Sequence, residues 1–306
     1  MAPAYTLPRS LAAAALAVVL LAGCGEVRKE RPFADVVAAA KAGEEAALRD
    51  LVSRLGHPDP QVAQSARDVV VELGPAAEKA LIAALSSQDP DIAEAAAGAL
   101  GGASATAAVE PLVRALGTWE RRRYVAAWAL GEIGDRRAIP PLVAAMGDPD
   151  PEVRKYATRS LVKFGREATV ALIAALDHPS PELRHYAVRA LGEIRDERAV
   201  EPLLAAGGKV DRDVHLWALG RVGDPRGFAA VAAAVDDPDP EVRLAAIQAL
   251  RDLGDPRAVP LLTRTLADPE WMIREWAARG LESITGNRYR YRNQHGEEIF
   301  PYALYR

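Results

Sequence analysis

The sequence predicts an all-α protein, an α-solenoid of about eight two-helix repeats. Half of the 306 residues are hydrophobic but only 6% are aromatic, and no sustained run alternates apolar and polar residues as a half-buried strand would. One pattern also occurs twice, beginning with Asp-Pro-Glu-Val-Arg at 150–154 and Ser-Pro-Glu-Leu-Arg at 180–184. Both copies continue into a helix rich in alanine and leucine, and a short apolar helix follows. Such self-similarity at a fixed period indicates a repeat architecture.

In each two-helix repeat we call the short apolar helix the first and the helix rich in alanine and leucine the second. Eight copies of the pattern follow one another when each is aligned on a large apolar residue near the end of its second helix. These anchor residues are 28 to 31 positions apart: Val70, Leu100, Leu130, Leu161, Leu191, Leu219, Leu250 and Leu281. A small residue stands directly before most anchors, and alanine stands four positions before every anchor except Leu219, where His215 replaces it. Small residues at these positions let neighbouring helices approach closely, while the anchors fill the core.

Proline, aspartate and glycine mark where the helices begin and end. Asp-Pro precedes the second helix in five repeats, at 59–60, 89–90, 150–151, 239–240 and 268–269. Aspartate suits the cap before a helix, and proline suits its first turn. Glycine followed by aspartate, as at 134–135, ends one repeat and starts the next. We therefore expect the solenoid to span residues 33–285, with 33–41 packing as a cap ahead of a first opening helix at 45–55.

The amino-terminal residues have the layout of an export signal. Arg9 is followed by an uninterrupted apolar stretch at 11–21, too short for a bilayer span, which needs about 20 apolar residues. The stretch ends in Leu-Ala-Gly-Cys at 21–24, which resembles the lipobox of bacterial lipoproteins, and Cys24 is the only cysteine. The resemblance implies a signal at 1–23, acylation of Cys24 and a charged tether over 24–32. An ordinary signal peptide with an incidental cysteine is the alternative.

The lipobox also implies a location. In lipoproteins of this kind the residue after the cysteine influences sorting, and Gly25 is not the aspartate associated with inner-membrane retention. Two or three acyl chains give stable anchoring, unlike one. We expect an exported protein that is lipid-anchored to a bacterial membrane, with the outer membrane favoured and the repeats facing the periplasm or the cell surface.

The repeat pattern stops before residues 286–306, which carry Tyr289, Tyr291, Phe300, Tyr302 and Tyr305. The last repeat of a solenoid would otherwise expose an apolar face, and solenoids need caps at their ends. We expect this aromatic segment to be a cap. A tail that docks a partner is the alternative.

Three motifs connect the repeats to a known family: Asp-Pro-Glu-Val-Arg at 239–243, Ala-Leu-Gly-Glu-Ile-Gly-Asp at 129–135 and Arg-Ala-Val-Pro-Leu at 257–261. With these motifs, the chain from about 45 to 285 resembles the HEAT-like repeats named after phycobilisome lyases. The resemblance implies a right-handed superhelix whose second helices line the concave surface. It implies almost nothing about chemistry, because the repeat is a scaffold.

Two positions on each second helix lie opposite its buried stripe, one helical turn apart. In the middle of the array these positions carry aromatic and basic residues, which we predict to bind a partner: Tyr124, Trp128, Lys155, Arg159, His185, Arg189 and Trp217. Exposed tryptophan with arginine is the composition of binding hot spots. The alternative is that Trp128 and Trp217 make cation–π contacts with neighbouring arginines and bind nothing.

An arginine recurs at one position near the start of six second helices: Arg123, Arg154, Arg184, Arg212, Arg243 and Arg274. An acidic residue often stands four positions earlier, as at Asp150, Asp239 and Glu270. One interpretation is a basic ladder for an anionic ligand. The family resemblance favours a structural role, in which stacked arginine and aspartate side chains bond between adjacent turns.

The repeat around residues 207–211 departs from the others. It is short, lacks the Asp-Pro turn and places His215 in the alanine column. The departure indicates either a hinge or ligand notch, or simply a degenerate copy of the repeat. For His215 we expect a core or semi-core position.

The sequence argues against two function classes, nucleic-acid handling and catalysis, and leaves a binding scaffold as the third. The net charge of -4 and the export signal oppose nucleic-acid handling, which needs a basic surface. The resemblance brings two enzyme candidates: bilin lyases, and deoxyhypusine hydroxylase, whose His-Glu pairs hold a di-iron centre. No histidine here precedes a glutamate, and export opposes a cytoplasmic lyase. We therefore expect no metal site, no cofactor and no catalytic residues.

The sequence therefore predicts a non-catalytic scaffold or adaptor, monomeric and anchored through Cys24. We expect it to bind another protein in an envelope complex through its concave face. The alternative is an enzyme, or an enzyme accessory, of the phycobilisome-lyase-like HEAT family with a lyase or oxidoreductase activity.

Overall fold

The computed structural model describes residues 31–301, and within them nearly all regular structure is helical. Helix α1 (Phe33–Lys41) precedes eight pairs, each with a first and a second helix. The pairs are α2 (Glu45–Ser53) and α3 (Pro60–Leu73), α4 (Glu78–Ala84) and α5 (Pro90–Gly102), α6 (Val109–Thr118) and α7 (Arg123–Ile133), α8 (Ile139–Ala145) and α9 (Pro151–Phe164), α10 (Thr169–Ala175) and α11 (Pro181–Ile194), α12 (Val200–Ala206) and α13 (Arg212–Val222), α14 (Phe228–Ala233) and α15 (Pro240–Leu253), and α16 (Val259–Thr265) and α17 (Trp271–Thr285). The predicted α-solenoid of about eight two-helix repeats is confirmed.

Most second helices begin where the sequence places an aspartate before a proline. The carboxylates of Asp59, Asp89, Asp150 and Asp239 each accept a hydrogen bond from the backbone N–H two residues later. The Ser180 hydroxyl caps α11 in a similar way. Proline at the first helical position has no N–H that would be left without a partner. Each cap fixes where a second helix starts, and therefore which side chains face outward.

Close packing between consecutive second helices holds the array together. Glycine directly follows the anchor leucine in four of these helices, at Gly101, Gly131, Gly192 and Gly220. A Cβ atom at Gly220 would lie only 2.5 Å from the Cα atom of Ala249 on the next second helix. A Cβ atom at Gly101 would likewise lie 2.9 Å from the Cα atom of Ala129. The helix backbones can come this close only because the glycines carry no side chain.

The first helices touch one another much less than the second helices do. Layers that are close together on one side and apart on the other must curve, with the closer layer inside. The second helices therefore line the inner face of the solenoid. All eight anchor residues are buried between the two helix layers.

The turns between repeats are tied by a buried carboxylate. Asp196 is the most deeply buried carboxylate of the described residues. It accepts hydrogen bonds from Arg198 Nε at 2.9 Å, Thr169 Oγ1 at 2.9 Å and Arg166 Nη2 at 3.3 Å. The hydrogen bond from Arg198 is the main reason that the pKa of Asp196 lies well below its usual range. The pairing of aspartate with an arginine two residues later recurs at Asp135 and Arg137, Asp224 and Arg226, and Asp255 and Arg257.

Three of these four arginines also donate a hydrogen bond to a carbonyl oxygen of the preceding repeat. The Arg198 guanidinium donates to the Arg166 carbonyl oxygen at 2.7 Å, and Arg137 donates to the Thr106 carbonyl oxygen at 3.0 Å. The aspartate thus orients an arginine that bonds two repeats together.

A two-stranded antiparallel hairpin, β1 (Tyr291–Arg292) and β2 (Glu298–Ile299), follows the last helix. The sequence did not predict these strands. The Tyr291 side chain is buried where β1 packs against α17, and Arg274 Nε donates to the Arg292 carbonyl oxygen at 2.7 Å. The hairpin therefore contacts the last repeat in the region predicted to form a cap. Tyr302 and Tyr305 of that region lie outside the described residues.

We predict that Gly220→Ala lowers the free energy of unfolding by about 1–3 kcal/mol, because the new methyl group overlaps the backbone of Ala249 and overpacking costs energy. Urea denaturation followed by circular dichroism measures this change. The control is Gly98→Ala on α5, where a Cβ atom would meet nothing within 4 Å. This control should gain up to about 1 kcal/mol from helix propensity. Equal changes at the two positions would contradict the role of glycine in helix packing.

Candidate functional site

The seven residues predicted to bind a partner lie on four consecutive second helices, and we call them the inner strip. They are Tyr124 and Trp128 on α7, Lys155 and Arg159 on α9, His185 and Arg189 on α11, and Trp217 on α13. Lys155, Arg159 and Arg189 are exposed, and the other four side chains are half-buried. Because these helices pack side by side with their anchors turned into the core, the seven side chains share the inner face.

The two tryptophans of the inner strip each pack on a glycine of the preceding second helix. A Cβ atom at Gly101 would lie 3.2 Å from Trp128 Cζ3, and one at Gly192 would lie 2.7 Å from Trp217 Cζ3. Both indoles contact the core with one part and solvent with another. Each tryptophan is therefore held in place by the fold while part of its ring stays available for contact.

Trp217 has the cation–π contacts that the sequence offered as an alternative to binding. The guanidinium carbon of Arg189 lies 5.8 Å from the centre of the Trp217 ring, and that of Arg221 lies at 6.0 Å. No such contact is found for Trp128 within residues 31–301. Cation–π contact leaves the N–H edge of each guanidinium uncovered, so it does not close this surface to a partner.

Tyr156 joins the inner face beside the strip, although the sequence did not single it out. Its ring centre lies 5.2 Å from that of Tyr124, and Lys155 and Arg159 lie over it at 5.7 and 5.8 Å. The predicted inner face includes two positions on each helix, one turn apart. Tyr156 follows Lys155 directly, about 100° further around the helix, and its long side chain still reaches the face. In the sequence, an aromatic residue next to one of these two positions is the signal that identifies it.

A second stack of arginine, tryptophan and arginine lies nearer the carboxyl end. The Arg251 and Arg279 guanidinium carbons lie 4.7 and 5.6 Å from the centre of the Trp276 ring. Unlike the arginines around Trp217, both are paired with carboxylates, of Asp252 and Glu275, at 2.6 Å. A cavity of about 360 Å³ separates this stack from Trp217.

The inner face also has a cleft of about 840 Å³ where α3 separates from α5. Val71 occupies the position on α3 that glycine occupies in four other second helices, and 75% of its surface is exposed. At this position α3 therefore lacks the close helix contact that glycine permits in those four helices. The 3₁₀ turn Arg54–Gly56 contacts both helices instead. Trp128 lines the far wall, so the cleft opens onto the inner strip.

Charged side chains form the rim of this cleft. Arg122 has a left-handed backbone with φ 63°, a conformation that costs a non-glycine residue about 1–2 kcal/mol. Its guanidinium pairs with Asp91 at 2.6 Å and with Glu94, and these ion pairs offset part of the cost. Arg67, also on the rim, has no carboxylate partner within residues 31–301.

The six recurring arginines bond to the turns of the solenoid. In Arg154, Arg184, Arg243 and Arg274, Nη1 donates to two carbonyl oxygens of the turn before the same helix. Arg123 and Arg243 also pair with a carboxylate of the following repeat, Asp148 at 2.8 Å and Asp268 at 2.9 Å, and Arg212 pairs with Asp237. The acidic residues four positions earlier do not supply these partners, because Asp150 and Asp239 cap their own helices.

The irregular repeat accommodates a buried histidine. His215 Nε2 donates to the Leu203 carbonyl oxygen at 2.8 Å. A Cβ atom at Gly207 would lie 2.9 Å from the His215 ring, so this glycine provides the space for the imidazole. Burial lowers the pKa of His215, and the hydrogen bond to Leu203 only partly opposes this shift. The ring is therefore held in its neutral form.

The turn at 207–211 is bonded to the repeat before it. Arg184 Nε donates to the Lys209 carbonyl oxygen at 2.8 Å, and His185 Nδ1 lies 2.9 Å from a carboxylate oxygen of Asp211. His185 of the inner strip thus also takes part in a turn contact.

Two further observations concern metal ligands and membrane-spanning helices. Among residues 31–301, no three histidine, cysteine, aspartate or glutamate side chains are grouped so that they could hold a metal ion. In the same part of the chain no helix combines the length and the apolar character needed to cross a membrane. Cys24 and the predicted signal at 1–23 lie outside the residues that the structure describes.

The family model for HEAT repeats matches residues 119–173, 169–216 and 209–282, which together cover more than half of the chain. The chain belongs to the HEAT-repeat family. HEAT repeats generally mediate protein interactions. No curated protein sequence matches this HEAT-repeat chain at a significant level.

One solved structure shows the same fold at low sequence identity, and two others are similar over much of the chain. The structure of Kap95p with RanGDP is 14% identical with a TM-score of 0.57, over 79% of this chain and 40% of that chain. CpcE and CpcF of phycocyanin lyase from Nostoc sp. PCC7120 are similar at 27% identity over 68% of this chain and 88% of that chain, with a TM-score of 0.36. Human deoxyhypusine hydroxylase is 22% identical over 82% of this chain and 98% of that chain, with a TM-score of 0.35. The last two scores are too low to support an inference about this HEAT-repeat chain.

We predict that His215 makes the solenoid less stable as the pH falls from 7 to 5. The unfolded chain binds a proton near its usual pKa of about 6.5, whereas the folded chain binds it only at lower pH, so stability is complete above about pH 6.5 and declines below it. The contribution of one such histidine over this interval is at most about 2 kcal/mol. Urea denaturation at the two pH values should show a smaller decline for His215→Gln than for the unaltered chain. The control is His178→Gln, at an exposed side chain, and an unchanged slope in His215→Gln would contradict the prediction.

Proposed function

We propose that this chain is a non-catalytic scaffold that binds another protein through the inner face of its second helices. The observation that carries this proposal is the inner strip, in which half-buried Trp128 and Trp217 share the inner face with exposed Arg159 and Arg189. Interfaces draw most of their binding energy from tryptophan, tyrosine and arginine side chains that the fold holds in place. Burial of one part of each tryptophan reduces the entropy that a partner would have to remove.

The shape of the surface supports a macromolecular partner. The strip runs over four helices, and its amino-terminal end continues into the cleft beside Val71. Repeat solenoids commonly use such extended surfaces to bind other proteins. We regard the chain as a monomer that offers one such surface.

We also propose that the protein is exported and held at a bacterial membrane, with the outer membrane favoured, by acylation of Cys24. The support is the lipobox-like Leu-Ala-Gly-Cys at 21–24 after an apolar stretch. From Cys24 to Phe33 the chain can extend at most about 30 Å, at 3.3–3.6 Å per residue. The tether would therefore keep the solenoid close to the membrane and to the components of an envelope complex.

The binding proposal predicts that Trp128→Ala combined with Arg159→Ala abolishes capture of the partner. The purified chain would be incubated with membranes solubilised in mild detergent, and the retained proteins identified by mass spectrometry. Circular dichroism should still show a folded helical protein, with some stability lost because Trp128 packs on Gly101.

The matched control combines Trp119→Ala with Arg114→Ala, the same residue types at α6, away from the inner strip. This control should retain the partner. Loss of capture in both variants, or in neither, would refute binding through the inner strip. Turnover of a small molecule by the purified chain would instead favour the enzyme alternative.

The anchoring proposal predicts that Cys24→Ser removes the protein from the membrane fraction and ends incorporation of a labelled fatty acid. Cys24 is the only cysteine, so no other thiol can replace it. The measurement is fractionation of cells expressing the full chain, followed by mass spectrometry of its amino terminus. A soluble cytosolic protein that begins at Met1 would contradict the anchor while leaving the binding proposal intact.

A further inference from the structure

The arginines of the solenoid fall into two groups according to their partners. Those that recur from repeat to repeat donate to turn carbonyls or pair with aspartates, as Arg154 and Arg243 do. Three arginines on consecutive second helices behave differently: Arg159 on α9, Arg189 on α11 and Arg221 on α13. Within residues 31–301, none of these three donates a hydrogen bond from its guanidinium or pairs with a carboxylate. These three guanidinium groups therefore have no acceptor within the described residues.

Each free arginine lies over an aromatic ring. Arg159 lies 5.8 Å from the centre of the Tyr156 ring, while Arg189 and Arg221 lie 5.8 and 6.0 Å from that of Trp217. Stacking restricts the motion of a guanidinium but leaves its N–H edge open, and two parallel N–H groups on that edge match a carboxylate. The three groups are therefore oriented donors that lack an acceptor.

The remaining charges on this part of the inner face do not neutralise the three arginines. The lysines of α9 already have partners, because Lys155 pairs with Glu152 at 3.1 Å and Lys163 with Glu132 at 2.6 Å. Glu193 lines the same cavity as Arg221, and Asp213 and Glu241 line the same cavity as Arg189. None of these carboxylates bonds to an arginine among the described residues, so the arginine edges stay open.

The spacing of the helices sets the spacing of the carboxylates that could be bound. Packed neighbouring helices lie about 8–10 Å apart. A peptide in the extended polyproline II conformation advances about 3.1 Å per residue with three residues per turn, so every third side chain lies on the same side of the peptide. A peptide that crosses α9, α11 and α13 would therefore present one side chain to each helix at about every third residue. It would cross α13 obliquely, because Arg221 lies about one helical turn beyond the position that Arg159 and Arg189 share.

We infer that the inner strip, together with Arg221 beside Trp217, binds an extended acidic segment of its protein partner, with carboxylates at every third residue received by Arg159, Arg189 and Arg221. This inference rests on the proposed function and specifies the chemistry of the partner. The aromatic rings beneath the arginines supply apolar contact to the residues between the acidic ones. The partner is thus recognised by the spacing of its charges as well as by their sign.

Two labelled peptides of identical composition test the spacing. Both contain three glutamates in a serine and alanine background. In one peptide the glutamates are three positions apart, and in the other they are consecutive. Fluorescence anisotropy with the full-length chain in detergent, at low ionic strength where screening is weak, should show about tenfold tighter binding of the spaced peptide. Equal affinities would overturn the inference.

Single substitutions test the receiving groups. Arg159→Ala, Arg189→Ala and Arg221→Ala should each weaken the spaced peptide about tenfold, the effect of losing one charge-assisted pair of hydrogen bonds. Arg189→Lys keeps the charge but loses the paired N–H edge, and it should weaken binding nearly as much as Arg189→Ala. The control Arg114→Ala removes the same charge from α6 and should leave the affinity unchanged. If Arg189→Lys bound the spaced peptide with full affinity, positive charge alone would explain the binding, and the inference would be overturned.

The remaining outcomes separate this inference from the proposed function. Capture of a membrane partner that depends on Trp128 but not on Arg189 or Arg221 would overturn the acidic segment while the scaffold function stands. Spaced-peptide binding without any captured partner would support the acidic segment and count against the scaffold function. Arginine-dependent binding to vesicles of anionic lipid, with no binding of the spaced peptide, would assign the free arginines to a membrane surface and overturn the inference.

Discussion

The distance between consecutive second helices is the constraint on which the rest of the structure depends. At Gly101, Gly131, Gly192 and Gly220 the helix backbones approach so closely that a single methyl group would overlap the next helix. This contact places the second helices on the inside of the curve, fixes the direction in which their side chains point and brings residues from four repeats onto one surface. Two tryptophans then fill the space above two of these glycines, which links the packing of the solenoid directly to the inner strip.

Recurring and non-recurring residues have different tasks in this chain. Aspartates and arginines that occupy the same place in many repeats form helix caps and hydrogen bonds between adjacent turns, as Asp196 with Arg198 illustrates. Residues that change from one repeat to the next occupy the inner face. A repeat protein thereby separates stability from recognition within a single helix, since the buried stripe and the exposed ridge of that helix can vary independently.

Much of this architecture could be predicted from the sequence, because the repeats provide eight observations of the same unit. The alanine and leucine columns identified the core, the Asp-Pro pairs identified the helix starts, and helical phase placed Trp128 and Trp217 on one face. Contacts that depend on two distant residues could not be predicted in this way. The space that Gly207 leaves for His215, the partner repeats of the turn arginines and the position of Tyr156 beside Tyr124 are all of this kind. The short hairpin was missed because its two-residue strands are too brief to produce a periodic signal.

The separation of α3 from α5 has a consequence for how the first two repeats would respond to load. Each repeat of a solenoid contacts only its neighbours, and here the row of contacts between second helices is interrupted and bridged by the turn Arg54–Gly56. Under load, the first two repeats would therefore be held together by this turn and by their first helices, whereas later repeats are held mainly by their second helices.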